Sequence, residues 1–217
     1  MDTSPHLVSD VMTRAVVAVG RKALFKDLVE RMEQCKVSAV PVLEGDGRVI
    51  GVVSEADLLP KEEFRDSNPD RTTQLHRLAD MAKAGAVCAE ELMSTPAVTV
   101  HADATLAEAA RIMALRHVKR LPVVNAEAVL EGVVSRGDLL KVFLRRDNDL
   151  ADEIRRDVLD VLFPAPVEPV HVTVVSGVAT LTGRVQDATR IPLAARLVRG
   201  VEGIVGLDCR LTGDDGT

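Results

Sequence analysis

Apolar and polar residues in the first part of the chain follow patterns typical of strands and of one-sided helices. A short apolar run, residues 15–19, precedes apolar residues spaced three and four apart, which is typical of a strand followed by an amphipathic helix. Two further apolar runs, 38–43 and 49–54, are separated by the turn sequence Gly45-Asp46-Gly47. Ser54 ends the last run and can cap a following helix. This segment predicts a β-α-β-β-α unit.

The same pattern returns 81 residues later without a gap. Residues 8–59 match residues 89–140, so that Met12 falls on Met93 and the strand at 15–19 on a shorter run at 97–100. A gapless repeat predicts two copies of one supersecondary unit that pack on each other. In the second copy we expect Asp103 to cap the helix.

Residues 60–88 separate the two copies. The stretch 60–71 is charged and contains two prolines, which predicts a loop. A helix ending at Gly85 is predicted after it, because apolar residues recur on one face. The residues of that face are Leu75, Leu78, Ala79 and Ala82. We expect a surface helix, and the alternative is a lid over one cleft.

The last third of the chain has a different order of elements, α-β-β-α-β. Apolar residues four apart predict one face of a first helix over 149–163. They are Leu150, Ile154, Val158 and Leu162, with Val161 beside them. Two alternating strands within 171–185 meet at a tight turn at Ser176-Gly177, and a second helix (187–200) leads to a third strand (204–211). The glycines expected to need positive φ are Gly177, Gly183, Gly200 and Gly203.

Several segments of the two copies together resemble a tandem CBS domain pair, also called a Bateman module. These are D-V-M-T (10–13) and E-L-M-S (91–94), V-S-A-V-P-V and V-K-R-L-P-V, and G-V-V-S-x-x-D-L-L in both copies. The last third, with V-x-V-x-x-G-x-A-x-L-x-G, resembles a BON domain. The resemblance implies mixed α/β and α+β architecture, with a pseudo-twofold CBS pair. The expected domains are CBS repeat 1 (7–59), a linker with a helix (60–88), CBS repeat 2 (89–145) and the BON-like domain (148–213).

Composition excludes several classes of protein. Only 2% of the residues are aromatic, with no Tyr and no Trp, so base-stacking platforms and membrane-interface belts are not expected. The net charge of −6 is shared equally between the two parts of the chain. Residues 1–149 contain 20 basic and 23 acidic residues, and residues 150–217 contain 7 basic and 10 acidic residues. Nucleic acid is therefore an unlikely ligand. The acidic last third carries no lysine after Lys141, so direct binding to anionic lipid is not expected either.

The expected compartment is the cytoplasm. The three cysteines are widely spaced and odd in number, which favours neither a disulfide framework nor a metal site. The N-terminus lacks the basic-then-apolar pattern of a signal peptide, and no apolar run reaches about 18 residues. The sequence also lacks nucleophile-elbow, zinc-protease and phosphate-loop motifs, so we expect no enzymatic activity and no metal.

The candidate chemistry lies in two Ser-x-x-Asp pairs, Ser54 with Asp57 and Ser135 with Asp138. Each pair falls where a strand gives way to a helix, which places a hydroxyl and a carboxylate at the positive end of the helix dipole. A carboxylate there can accept two hydrogen bonds from a ribose diol. The alternative is plain helix capping, but the occurrence of the pair at the same point of both repeats favours binding.

The resemblance to CBS pairs implies crossed clefts, in which each aspartate is joined by segments of the other repeat. The residues implied for the Asp138 cleft are Thr13, Val17, Val37, Ser38, Ala39, Lys119, Arg120, Ser135 and Asp138. Those implied for the second cleft are Ser54, Asp57, Val98, Val118 and Lys119, with Ser38 and Ala39 from its own repeat. We expect the Asp138 cleft to be the better nucleotide site, with Lys119 and Arg120 near the phosphate. Alternatively, Lys119 and Arg120 belong to a solvated charge cluster.

Taken together, these features predict a cytoplasmic, non-enzymatic sensor. Candidate regulatory ligands are ATP, ADP, AMP and S-adenosylmethionine, which we expect to bind in the CBS clefts. We expect this binding to be relayed to the BON-like interaction domain, which would contact a protein partner. A homodimer formed through the CBS helices is expected. The alternatives are a structural or adaptor protein without a small-molecule ligand, and a membrane-associated stress protein acting through the BON domain.

Overall fold

The computed structural model describes residues 6–65 and 77–213, and these fall into two compact units. One unit spans residues 7–138, and the other contains residues 139–213 together with His6. Leu75, the second half of the predicted loop at 60–71 and the side chain of Ala79 lie outside the described residues. Among the described residues, no helix is long and apolar enough to cross a membrane.

The first repeat forms the predicted β-α-β-β-α unit. Its elements are α1 (Val8–Val11), β1 (Val19–Gly20), α2 (Phe25–Cys35), β2 (Ala39–Glu44), β3 (Arg48–Ser54) and α3 (Glu55–Leu58). Strand β2 is the centre of the sheet, parallel to β1 and antiparallel to β3. Leu28 and Met32 of α2 are buried against this sheet, and Val40, Val42 and Val53 complete the core. The helix is held because its apolar stripe matches the apolar face of the strands.

The second repeat has the same architecture and the same register. Its elements are β4 (Val100–His101), α7 (Leu106–Leu115), β5 (Arg120–Val124), β6 (Leu130–Ser135) and α8 (Arg136–Leu139). Val19 lies opposite Val42 in the first sheet, and Val100 lies opposite Val123 in the second. The predicted strands at 15–19 and 97–100 are wrong in extent, because β1 and β4 pair with their neighbours over only two residues each.

The segment between the repeats contains the helices α4 (Pro60–Glu63) and α5 (Leu78–Gly85), and α6 (Ala89–Leu92) opens the second repeat as α1 opens the first. The helix predicted to end at Gly85 is confirmed as α5. The loop predicted from Pro60 is wrong for its first four residues. Pro60 is the first residue of α4, where a proline is tolerated because the missing N–H would have no partner within the helix.

The cap of α7 also differs from the sequence prediction. Thr105, rather than Asp103, is the N-cap, and its Oγ accepts a hydrogen bond from the Glu108 N–H at 3.2 Å. The Thr105 N–H and O–H both donate to the Glu108 carboxylate, and this lowers the pKa of Glu108. The reciprocal contacts form a capping box, a motif that depends on the Thr-x-x-Glu spacing.

We therefore expect Thr105→Ala to lower the free energy of unfolding of the residue 7–138 unit by about 1 kcal/mol. Asp103→Ala is the matched control, and it is expected to change this free energy by less than about 0.5 kcal/mol. Urea denaturation followed by far-ultraviolet circular dichroism measures both. A larger loss for Asp103→Ala than for Thr105→Ala would contradict the assigned cap.

The C-terminal unit has the predicted α-β-β-α-β order. Its elements are a 3₁₀ turn (Leu140–Leu144), α9 (Asp147–Ile154), a π-helical turn (Arg155–Leu159), α10 (Asp160–Leu162), β7 (Glu168–Val175), β8 (Val178–Val185), a 3₁₀ turn (Ala188–Arg190), α11 (Ile191–Gly200) and β9 (Gly206–Gly213). Strand β8 is central, antiparallel to β7 and parallel to β9. The predicted hairpin turn is confirmed, with φ of +50° at Ser176 and +74° at Gly177. The carboxylate of Asp147 accepts hydrogen bonds from both turn N–H groups.

The first helix of this unit departs from the predicted regular face. The π-helical turn inserts one extra residue, so the buried face moves from the four-residue spacing to Leu159 and Phe163. Val161, predicted to lie beside the buried stripe, is 66% exposed. The prediction for Val161 is therefore wrong, whereas Leu150, Ile154 and Val158 are buried as expected.

Candidate functional site

Both Ser-x-x-Asp pairs form the same local structure. The Ser54 N–H and O–H each donate to Asp57 Oδ2 at 2.7 Å. In the second repeat the Ser135 N–H and O–H donate to Asp138 Oδ2 at 2.9 and 2.6 Å. The capping arrangement considered as an alternative is thus present in both repeats. At Asp57 this arrangement engages only one carboxylate oxygen, Oδ2, and Oδ1 makes different contacts.

At Asp57 the second oxygen has partners from outside the first repeat. Lys83 Nζ on α5 donates a hydrogen bond to Asp57 Oδ1 and forms an ion pair with it. The Ser94 hydroxyl also donates to Oδ1, at 3.3 Å. Asp57 is 8% exposed, so this carboxylate is largely withdrawn from water. A buried carboxylate of this kind needs donors or a counter-ion, and the chain supplies both.

The segments that open each repeat cross to the other repeat, as the resemblance implied. Thr13 exchanges two backbone hydrogen bonds of 2.9 Å with Val133 of β6. Ser94, which lies 81 residues after Thr13, pairs in the same way with Val52 of β3 at 2.9 and 3.2 Å. Each opening segment therefore lies beside the strand that leads to the aspartate of the other repeat.

A cavity of about 240 Å³ lies at Asp57. Its walls come from both repeats: Ser38, Ala39, Val52, Ser54, Glu55, Ala56, Asp57, Ser94, Pro96, Ala97, Val98, His117, Val118, Lys119 and Arg120. The lining includes small aliphatic residues, two acidic residues, Glu55 and Asp57, and two basic residues, Lys119 and Arg120. Such a cavity can hold an apolar ring, accept hydrogen bonds from hydroxyl groups and attract an anion.

One predicted residue lies elsewhere than expected. Arg120, assigned to the Asp138 cleft alone, lines the Asp57 cavity, together with Ser38, Ala39 and Lys119, which were assigned to both clefts. The backbone explains why Lys119 and Arg120 adjoin both clefts. Arg120 lies opposite Ser135 in the second sheet, and Lys119 O accepts a hydrogen bond from the Arg136 N–H, while both residues also line the Asp57 cavity.

The other predicted residues lie as follows. Ser54, Asp57, Val98 and Val118 are all in the wall of the Asp57 cavity. Val17 packs on the core of the first repeat, and Val37 lines a neighbouring cavity of about 370 Å³ that shares Arg120 with the first. Thr13 pairs with Val133, and Ser135 and Asp138 form their own capping box. Ligand binding by the Asp138 set remains a prediction.

Two partners of the Asp57 carboxylate were missed at the level of sequence. Ser94 could have been found, because it is the repeat partner of Thr13. Lys83 could not be found in this way, since residues 60–88 have no counterpart within the second repeat. Among the described residues, no group of three or more His, Cys, Asp or Glu side chains is placed to hold a metal ion.

Family models match nearly the whole chain. The CBS domain model matches residues 8–61 and 89–145, and the BON domain model matches residues 146–213. Both matches agree with the resemblances drawn from the repeated motifs and from the glycine pattern of the last third.

Individual relatives match the region of the CBS pair. The uncharacterized protein MJ1426 of Methanocaldococcus jannaschii is 28% identical over 154 residues, which cover 64% of this chain and 91% of the relative. The chloroplastic CBS domain-containing protein CBSX2 of Arabidopsis thaliana is 29% identical over 155 residues, covering 64% of each chain.

Solved structures have the same fold over this region. CBSX2 in complex with AMP superposes with a TM-score of 0.57 and 27% identity, covering 64% of this chain and 97% of the other. The CBS domain pair of protein MJ0100, in complex with 5′-methylthioadenosine and S-adenosyl-L-methionine, gives a TM-score of 0.51. Its identity of 17% supports similarity of fold alone.

Proposed function

Because the chain belongs to the CBS domain family, with two CBS segments followed by a BON domain, we propose that it is a regulatory protein that binds an adenine nucleotide or adenosyl ligand beside Asp57. The observation that carries the proposal is the cavity at Asp57, whose walls come from both repeats. A ligand that contacts both repeats can alter how they are arranged, which is the basis of regulation by population shift.

The chemistry of the cavity matches the three parts of a nucleotide. The adenine fits between aliphatic walls such as Val98, Val118 and Ala39, where no aromatic side chain is needed. The ribose hydroxyls can donate to the carboxylate of Asp57. The phosphate fits near Lys119 and Arg120, and an arginine is well suited to phosphate because its donors match the oxygens in pairs.

The relative CBSX2, solved with AMP, supports this choice of ligand class. Lys119 and Arg120 in the cavity wall can pair with phosphate groups, which S-adenosylmethionine lacks. AMP is therefore the first ligand to test, followed by ADP and ATP.

The proposal is tested by calorimetric titration of AMP, ADP, ATP and S-adenosylmethionine into the full chain. We expect at least one phosphorylated adenosine to bind and to raise the thermal midpoint, because a ligand that binds only the folded state stabilises it. S-adenosylmethionine is expected to bind more weakly than AMP. If none of the four binds, the proposal fails and an adaptor role without a small-molecule ligand is favoured.

The C-terminal domain is proposed to pass the signal to a protein partner. Three valines at the hairpin end of its sheet support an interaction role, because Val175, Val178 and Val205 are 68%, 41% and 68% exposed. Hydrogen exchange over residues 147–213 should change when the CBS ligand binds. Unchanged exchange at saturating ligand would argue against a relay.

A homodimer through the CBS helices is also proposed. Apolar side chains on helical surfaces of the pair support it, since Leu115 of α7 is 77% exposed and Val29 of α2 is 43% exposed. Sedimentation equilibrium measures the mass in solution, and we expect twice the chain mass of 23.3 kDa. A mass equal to one chain at all concentrations would contradict the dimer.

A further inference from the structure

Lys83 is an ionic partner of Asp57 that the repeated CBS sequence does not provide. It lies on α5 (Leu78–Gly85), in the segment between the repeats, and its Nζ pairs with Asp57 Oδ1. The Lys83 side chain is 21% exposed and that of Asp57 is 10% exposed, so the pair is largely shielded from water. An offset of 81 residues would place the counterpart of Lys83 at Pro164, beyond the second repeat. Sequence thus provides this lysine for the Asp57 cleft alone.

The position of Lys83 is fixed by contacts on both sides of α5. Lys61 Nζ donates to the backbone oxygen of Ala84 at 2.9 Å, which joins α5 to the preceding helix. Ala86, three residues after Lys83, is 4% exposed and packs in the core of the first repeat. The Phe25 N–H donates to Val87 O at 2.9 Å, so the chain after α5 is also held by α2.

The hydrogen bonds at Asp57 show which partners a ribose can replace. A carboxylate has about four lone-pair positions. Ser54 N–H and O–H occupy two on Oδ2, and Lys83 and the Ser94 hydroxyl occupy two on Oδ1. A ribose diol that binds here must therefore take the place of existing donors.

The serine hydroxyls are the replaceable donors. A ribose hydroxyl substitutes for a serine hydroxyl like for like, and the Ser94 bond is the longest of the four at 3.3 Å. Replacing Lys83 by a neutral hydroxyl would instead leave a buried carboxylate without its counter-ion, which is strongly unfavourable. Lys83 therefore remains in place when the ligand binds.

We propose that Lys83 is a positioning residue for ligand recognition, the counter-ion whose contact with Oδ1 orients the Asp57 carboxylate so that it can accept the ribose hydroxyls. This inference rests on the proposed function, since it assigns a role within the same cleft. It makes α5 a part of the binding site, although α5 itself does not line the cavity.

The test compares AMP with 2′,3′-dideoxy-AMP, which lacks both ribose hydroxyls, in calorimetric titrations of the full chain. The ratio of the two dissociation constants measures how well Asp57 recognises the ribose. In the wild-type chain we expect dideoxy-AMP to bind about 100-fold more weakly than AMP, because two hydrogen bonds to a charged acceptor are lost. In Lys83→Met the ratio should fall to about tenfold or less, since the carboxylate is no longer held in place.

Two further variants separate positioning from a general structural effect. Lys83→Arg restores the positive charge, so the ratio of the two dissociation constants should return close to its wild-type value. Lys61→Met removes the hydrogen bond to Ala84 that helps to fix α5 but keeps Lys83 itself, so it should lower the ratio less than Lys83→Met does. Lys83→Gln, which keeps a donor but not the charge, serves if Lys83→Met does not fold, and it should also lower the ratio.

Each outcome decides between the two proposals. A wild-type ratio in Lys83→Met, or in Lys83→Gln if that variant is used, overturns the role of Lys83 while leaving the proposed function intact. An equal loss of the ratio in Lys61→Met would also overturn it, because a structural effect would then suffice. If the wild-type chain binds neither compound, or binds both equally, the proposed ribose site at Asp57 fails and the role of Lys83 fails with it.

Discussion

Replacing Asp57 by alanine is expected to weaken AMP binding by about 100-fold or more. Two hydrogen bonds from ribose hydroxyls to a carboxylate contribute about 3–6 kcal/mol together, and this variant removes both. Calorimetric titration measures the change. Circular dichroism and thermal denaturation are needed beside it, because Lys83 loses its ionic partner in the same variant.

The repeat supplies a matched control in Asp138→Ala. This variant removes the corresponding carboxylate of the second repeat, with its hydrogen bonds from Ser135. We expect AMP affinity at the Asp57 cavity to stay within about threefold of the wild-type value, since changes outside a site are mostly small. The opposite pattern, with binding retained in Asp57→Ala and lost in Asp138→Ala, would favour the cleft that the sequence alone suggested.

Replacing Gly183 by alanine is expected to destabilise the C-terminal unit by about 3 kcal/mol. Gly183 lies in β8 with φ of +134°, which side chains rarely tolerate, and a Cβ would come within 2.7 Å of the Pro169 backbone oxygen. A backbone neighbour cannot move aside as a flexible side chain can. Hydrogen exchange of the β8 amides measures the local free energy of unfolding.

Gly200→Ala is the matched control, with an effect of opposite sign. Gly200 ends α11 without a positive φ, and a Cβ there would meet no atom within 4 Å. Alanine favours the helix over glycine by up to about 1 kcal/mol, so we expect equal or greater stability. A similar loss in both variants would contradict the distinction between these glycines.

The glycine pattern shows how far sequence alone defined the C-terminal unit. Gly177, Gly183 and Gly203 have positive φ as predicted, whereas the prediction for Gly200 is wrong. The order of elements and the hairpin turn follow from alternation and turn residues, which are local signals. The π-helical turn that buries Leu159 depends on packing against the sheet, which the spacing of apolar residues does not encode.

In the CBS pair, the repeat allowed the architecture and most of the cavity wall to be predicted. Residues that recur at an offset of 81 reveal shared geometry, and Val98 and Val118 were placed at the Asp57 cleft in this way. Arg120 was assigned to the other cleft because the resemblance to CBS pairs implies phosphate-contacting basic residues there, and in the structure its backbone does lie opposite Ser135. Lys83 lies outside the repeat, so only the folded chain shows that α5 brings it to Asp57.

A crystal structure of the full chain grown with AMP tests the central claim most directly. The account predicts AMP in the Asp57 cavity, with the ribose hydroxyls on the Asp57 carboxylate, the phosphate near Arg120, and Lys83 still paired with Asp57. Nucleotide bound only at Asp138, or an Asp57 cavity empty at saturating AMP, would contradict it.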